Sequence, residues 1–153
     1  AHVASFLDRS VRRLLVVEDD TSQRDSLLAF LSDGDDVEVT AVASAEAALE
    51  ALARQPFDCM VVDLVLPGED GLRLVEQVKT DERLRDLPVI VYTGKELSGA
   101  EEQRLKRYSE SVILKNGVRS PDRLAHDVAL FLHRVDEQVP AGARAVFAEE
   151  RGA

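Results

Sequence analysis

Four short stretches of the chain are continuously apolar, and a fifth alternates. The continuous runs are Leu14 to Val17, Cys59 to Val62, Val89 to Tyr92 and Val112 to Leu114. Runs of this length, bounded by polar residues, are typical of strands that are buried on both faces. Residues 37–43 instead begin by alternating apolar and polar side chains. That alternation predicts a strand at a less completely covered edge of a sheet.

Amphipathic segments of helical length separate these five predicted strands. We expect helices to begin at or just after Thr21 or Ser22, Ser44, Asp70, Ser98 and Ser120, with Thr21 or Ser22 capping the first and Ser44 the second. Because strand and helix alternate along the chain, we predict an α/β fold with a (βα)5 flavodoxin-like, doubly wound parallel sheet of five strands. The expected strand order is 2-1-3-4-5, which places the alternating strand at an edge.

Length and composition exclude several classes of protein. The 153 residues, of which 45% are hydrophobic, predict one globular domain with short flanking arms. From the predicted strands and helices we place the domain at residues 13–136, between linker arms at 1–12 and 137–153. The net charge of −10 argues against a nucleic-acid partner. No run approaches the ~18 apolar residues that span a membrane, and no signal peptide opens the chain. We therefore expect a cytoplasmic protein without membrane contact through this part, and the single Cys59 excludes an intramolecular disulfide.

Chemically active side chains follow or end four of the predicted strands. They are Glu18 with Asp19, Asp63, Thr93 and Lys115. Each is unremarkable alone, because polar residues commonly end strands. In a parallel sheet, however, these ends converge on one edge, where ligands of open α/β sheets bind. The set therefore predicts a site at that edge.

The residue types at this edge suit phosphoryl transfer to a carboxylate. Glu18, Asp19 and Asp63 bring like charges together, a penalty that a divalent cation removes, and Mg²⁺ prefers oxygen ligands of this kind. Asp63 is ionised at neutral pH and can attack a phosphoryl group to form an acyl phosphate. Lys115 supplies a positive charge for a phosphate oxygen, and Thr93 supplies a hydroxyl donor.

In this order the motifs resemble the receiver domain of two-component signalling, the response-regulator fold. Residues 14–20, LLVVEDD, resemble the first strand and acidic pair of that family, and residues 63–71, DLVLPGEDG, resemble its phosphoacceptor loop. Residues 91–94, VYTG, and 113–115, ILK, match its threonine and lysine signatures. The resemblance covers residues 13–135 and is carried by several motifs in the family's order.

This resemblance implies a bacterial phosphorelay protein. Asp63 is expected to take a phosphoryl group from a phosphohistidine on a histidine kinase or a histidine phosphotransfer domain, possibly within the same parent chain. The implied Mg²⁺ ligands are Asp19, Asp63 and the backbone carbonyl of Val65, with Glu18 acting through water. Such a domain is not a conventional enzyme, since it catalyses its own phosphorylation and dephosphorylation. The ends of the chain favour a module cut from a hybrid histidine kinase, and homodimer formation is left open.

Two positions depart from the family pattern. Receivers usually carry an aromatic switch residue three positions before the lysine, where this chain has Val112, and a proline after the lysine, where it has Asn116. The alternative hypothesis is therefore a pseudo-receiver, an interaction module that works without phosphorylation. A haloacid-dehalogenase-type phosphatase is disfavoured, because Val65 occupies the place of its second aspartate. A flavodoxin is disfavoured because no phosphate loop follows the first strand.

Overall fold

The computed structural model describes residues 11–31 and 36–134. The strands are β1 (Arg12–Val17), β2 (Val37–Val42), β3 (Cys59–Val62), β4 (Val65–Leu66), β5 (Glu69–Asp70), β6 (Val89–Thr93) and β7 (Ser111–Leu114). The helices are α1 (Thr21–Leu31), α2 (Ala45–Arg54), α3 (Gly71–Thr80), α4 (Gly99–Tyr108) and α5 (Ser120–Arg134). The predicted arm at 137–153 and residues 1–10 of the other arm lie outside the described residues.

Five of the strands form one parallel sheet in the order β2-β1-β3-β6-β7. Counted by these five alone, the order is 2-1-3-4-5, so the predicted flavodoxin-like topology is confirmed. The alternating strand β2 is at an edge, and each of its residues is at least partly accessible to solvent. The central strand β3 is completely buried, as its continuous apolar run predicts.

The other two strands, β4 and β5, form a small antiparallel hairpin that periodicity does not predict. They pair Val65 with Asp70 and Leu66 with Glu69 around the Pro67–Gly68 turn. Gly68 has a φ of +69°, a conformation that glycine adopts without steric cost. The hairpin connects the carboxyl end of β3 to the start of α3.

Alternate residues of the strands pack into two apolar layers, one on each face of the sheet. One layer joins Leu15, Met60 and Val89 to helices α2, α3 and α4. The opposite layer joins Leu14, Val61, Ile90 and Tyr92 to α1 and α5. Since the side chains of a strand alternate between faces, Tyr92 lies on the α1–α5 side while its neighbour Val91 lies on the other.

The helix starts largely match their predicted caps. The side chain of Ser44 accepts a hydrogen bond from the backbone N–H of Ala47, and Ser98 forms a capping box with Glu101. The first helix differs. Thr21 is already helical, and Asp20 Oδ1 accepts from the N–H of Gln23 at 2.9 Å. Asp20 therefore takes the capping position, and none of the helices in the described ranges is long and apolar enough to cross a membrane.

Candidate functional site

The backbone ladder of the sheet positions three of the predicted site residues just beyond their strands. The N–H of Glu18 donates to Val42 at 3.0 Å, and that of Asp63 donates to Val17 at 3.0 Å. The N–H of Lys115 donates to the carbonyl of Thr93 at 2.8 Å. These bonds fix the carboxyl ends of neighbouring strands at the same level, as a parallel sheet requires.

The Lys115 ammonium bridges the two carboxylates of this edge. Its Nζ lies 2.8 Å from Asp63 Oδ2 and 2.7 Å from Glu18 Oε1, and it also donates to Gln23 Oε1 on α1. Glu18 has an exposed fraction of 2% and Asp63 of 7%. Two carboxylates are thus held side by side, largely out of water, by one shared cation.

Asp63 accepts more hydrogen bonds than Glu18 does. Its Oδ1 accepts from Thr93 Oγ1 at 2.7 Å and from the backbone N–H of Val65 at 3.1 Å. Together with the Lys115 contact on Oδ2, these donors occupy both carboxylate oxygens. The side chain of Asp63 is therefore held in one orientation, with donors of the types that stabilise a negative charge.

The different hydrogen bonding moves the two carboxyl pKa values in opposite directions. Burial alone would raise the pKa of Asp63, but the hydrogen bonds from Lys115, Thr93 and Val65 outweigh it, so the pKa is lowered. Burial prevails at Glu18, where the nearby charge of Asp63 adds to it and raises the pKa despite Lys115. Burial by itself would lower the pKa of Lys115. The hydrogen bonds from its ammonium to both carboxylates outweigh this effect, so the pKa of Lys115 is raised. Asp63 is thus the carboxylate best suited to remain ionised.

The remaining predicted residues lie around this centre. Asp19 is exposed in the loop after β1, and its carbonyl accepts from Arg24 at 3.5 Å. Val65 contributes its backbone N–H to Asp63, while its side chain is exposed. Within the described part of the chain, no three His, Cys, Asp or Glu side chains stand close enough to hold a metal ion by themselves. The structure therefore brings Glu18, Asp63, Thr93 and Lys115 together, with Asp19 at the border.

The structure shows the surroundings of the two positions that depart from the family pattern. Val112 is half-buried and packs against the apolar layer of α2, α3 and α4. After Lys115 the backbone turns through residues 116–117, where the N–H of Gly117 donates to Leu114 at 3.0 Å. Ser120 Oγ then donates to the carbonyl of Lys115 at 2.9 Å. The peptide bond after Lys115 is trans, and these two hydrogen bonds hold the turn without a proline.

Two residues of the site were missed by the sequence reasoning. Gln23 reaches Lys115 from the first turn of α1, and the Tyr92 ring centroid lies 5.6 Å from the ammonium. Nothing in the sequence marks Gln23, because a polar residue in a first helical turn is commonplace. The position of Tyr92 directly before Thr93 could have indicated that it lies near the site. Because Tyr92 also belongs to an apolar run, the sequence predicts only a core residue there.

Comparison with known proteins gives the family. The family model described as the response regulator receiver domain matches residues 14–128. Response regulator Rre1 from Synechocystis is 28% identical over 137 residues, which is 90% of this chain and 58% of that protein. The transcriptional regulatory protein FixJ from Bradyrhizobium diazoefficiens is 37% identical over 81 residues, 53% of this chain and 38% of that protein. The chain thus spans less than two thirds of either relative.

Solved structures share the fold. A sensor protein from Polaromonas is 29% identical with a TM-score of 0.66, covering 80% of this chain and 97% of that one. The receiver domain of a sensor histidine kinase from Pseudomonas aeruginosa has a TM-score of 0.68 at 24% identity, covering 80% and 98%. That crystal structure holds a magnesium ion in its active-site cleft. With the family match over most of its length and the same fold, this chain belongs to the response regulator receiver domains of two-component signalling.

Proposed function

We propose that Asp63 is the phosphoacceptor of this receiver domain and takes a phosphoryl group from a phosphohistidine. The observation that carries the proposal is the set of donors around its carboxylate. The Lys115 ammonium, the Thr93 hydroxyl and the Val65 N–H all converge on Asp63 at the carboxyl end of β3. Structural ion pairs also perturb carboxylates, but a carboxylate held in one orientation at the ligand-binding edge of the sheet suits a reacting group.

In the reaction, a carboxylate oxygen of Asp63 attacks the phosphorus of the donor. An oxygen–phosphorus bond forms, the nitrogen–phosphorus bond of the phosphohistidine breaks, and its electron pair returns to the imidazole nitrogen. Asp63 needs no general base, because the lowered pKa leaves it ionised at neutral pH. Lys115 and Thr93 are within reach of the new group and would donate to its oxygens, where the charge of the transition state is concentrated.

A Mg²⁺ ion fits the chemistry of the donors at this edge. Asp63 and Asp19 would hold it with the backbone carbonyl of Val65, and Glu18 would act through a bound water. Mg²⁺ commonly uses one or two carboxylates and keeps several waters, so three grouped side chains are not needed. Burial and then the nearby charge of Asp63 raise the pKa of Glu18, and such an ion would reduce the repulsion between the two carboxylates. When bound, the ion supplies positive charge to the phosphoryl oxygens.

The partners follow from this role. Receiver domains interact with histidine kinases or histidine phosphotransfer domains, and we infer a donor of that kind here. We retain a cytoplasmic location as a proposal, since a phosphohistidine donor of this class works on the cytoplasmic side.

Intact-mass measurement after incubation with acetyl phosphate and Mg²⁺ tests the assignment. The wild-type protein should gain the mass of one phosphoryl group, and hydroxylamine should remove it, as it does from acyl phosphates. Asp63→Asn should gain nothing. Asp122→Asn, at an exposed position of α5, serves as the matched control and should behave like the wild type. Equal phosphorylation of Asp63→Asn and wild type would refute the assignment.

The second candidate function is a pseudo-receiver that binds partners without phosphorylation. Val112 favours it, because this half-buried side chain carries no aromatic ring that could rotate between two environments. If the chain is a pseudo-receiver, the wild-type protein should gain no phosphoryl group in the intact-mass experiment. The Asp63→Asn variant should then bind its partner as well as the wild type does.

A further inference from the structure

The hydrogen-bonding capacity of the Lys115 ammonium is already filled. A lysine ammonium has three N–H donors and no acceptor. Its three partners here are Asp63 Oδ2, Glu18 Oε1 and Gln23 Oε1. A phosphoryl oxygen on Asp63 can therefore bind this ammonium either in place of Asp63 Oδ2 or in addition to it, and the second arrangement requires that the contact with Glu18 or Gln23 be released.

Of the two partners other than Asp63, Gln23 costs less to release. Glu18 is buried and ionic, and a buried carboxylate left without its cation is strongly unfavourable. Gln23 is neutral and exposed, so water can replace the ammonium at its amide oxygen. A phosphoryl oxygen is negatively charged, whereas the amide oxygen of Gln23 is neutral, so the ammonium gains an ion pair by exchanging one acceptor for the other. The exchange of Gln23 for phosphate is thus favourable.

The same movement of Lys115 would change the surroundings of the Tyr92 ring. The ammonium lies over the Tyr92 ring at 5.6 Å from its centroid, within the range of a cation–π contact. Tyr92 is next to Thr93, which already contacts Asp63. Its ring faces a cavity of about 380 Å³ between α1 and the start of α5, which is lined by Gln23, Leu27, Phe30 and Pro121 among others.

We propose that Gln23 is a positioning residue that holds Lys115 toward α1 in the unphosphorylated protein and releases it when Asp63 is phosphorylated. Phosphorylation then changes the structure on the α1–α5 side of the sheet, where Gln23 and Tyr92 contact Lys115. Val112, the usual aromatic position, lies in the opposite layer. This inference rests on the proposed phosphoacceptor function of Asp63.

Beryllofluoride, a phosphoryl analogue, tests this directly in the presence of Mg²⁺. The chain has no tryptophan and two tyrosines, so a Tyr108→Phe background leaves Tyr92 as the single tyrosine emitter. Analogue binding should change Tyr92 emission in this background. Gln23→Met, which keeps side-chain length but removes the acceptor, should bind the analogue roughly tenfold more tightly, the lower end of the equilibrium factor for a hydrogen bond to a charged group.

The controls separate this inference from the proposed function. Ala29→Met places the same side chain at an exposed position of α1 and should leave the affinity unchanged. Gln23→Glu restores an acceptor and should remove the gain in affinity. If calorimetry shows analogue binding while Tyr92 emission and the Gln23→Met affinity stay at their reference values, the inference is wrong and the function stands. If no analogue binds at all, both fail.

Discussion

At the scale of single residues, the loop that carries Asp63, the proposed phosphoacceptor, depends on a glycine as much as on its charged groups. The backbone of Gly71 passes so close to the loop that a Cβ there would lie 2.5 Å from the Cα of Leu64 and 2.7 Å from the carbonyl oxygen of Asp63. The N–H of Gly71 also donates to the carbonyl of Leu64 at 3.0 Å. A side chain cannot fit without moving the backbone that carries Asp63.

Gly71→Ala should therefore lower the free energy of unfolding by about 3 kcal/mol, the upper end of overpacking costs, since the clash is with backbone atoms. Urea denaturation followed by circular dichroism measures this loss. Gly99→Ala is the matched control at the start of α4, where an added Cβ meets nothing within 4 Å. It should be neutral or stabilise by up to about 1 kcal/mol. Similar losses in the two variants would contradict the steric argument.

At the scale of elements, Lys79 connects three parts of the chain at the end of the sheet remote from the site. Its Nζ donates to the carbonyl of Leu87 at 2.6 Å and to Glu110 Oε2 at 2.9 Å. Glu110 Oε1 in turn accepts from the N–H of Val89 at 2.7 Å. The ammonium thus joins the end of α3, the segment before β6 and the turn before β7, with 9% of the lysine side chain exposed.

Lys79→Met should destabilise the protein by about 2 kcal/mol, because it leaves a carbonyl and a carboxylate that had a charged donor without one. A double-mutant cycle with Glu110→Gln should show coupling between the two positions. Lys106→Met removes the exposed i,i+4 pair with Glu102 and should cost less than about 1 kcal/mol. Equal losses at Lys79 and Lys106 would show that burial does not govern this pair.

Element boundaries were predictable to the extent that many residues share one pattern. The five sheet strands follow from apolar runs, and α3 and α4 begin within a residue of their predicted starts. The β4–β5 hairpin was missed, because strands of two residues are too short to show alternation. The predicted cap of α1 at Thr21 or Ser22 was wrong, because Asp, Thr and Ser all suit the capping position and the pattern does not mark Asp20 as the residue that takes it.

At the scale of the whole molecule, topology made most of the site predictable. Glu18, Asp63, Thr93 and Lys115 lie at the carboxyl ends of four different strands, and a parallel sheet brings those ends together whatever the loops do. Gln23 could not be found this way. It meets Lys115 across 92 positions of the chain, and that contact depends on the reach of two flexible side chains. Such contacts require coordinates.

The carboxyl edge of the sheet carries more negative than positive charge in the folded protein. One ammonium serves two buried carboxylates at this edge, so a divalent cation that binds the folded state should raise its stability by mass action. At a Mg²⁺ concentration 100 times the dissociation constant, the gain would be about 2.7 kcal/mol, seen as a rise in melting temperature at pH 7. Asp19→Asn, at an exposed position, should shrink this gain with little effect on the metal-free protein. Asp25→Asn, also exposed but in α1, should keep the full gain. A Mg²⁺ effect of the same size in Asp19→Asn would remove Asp19 from the proposed ligands.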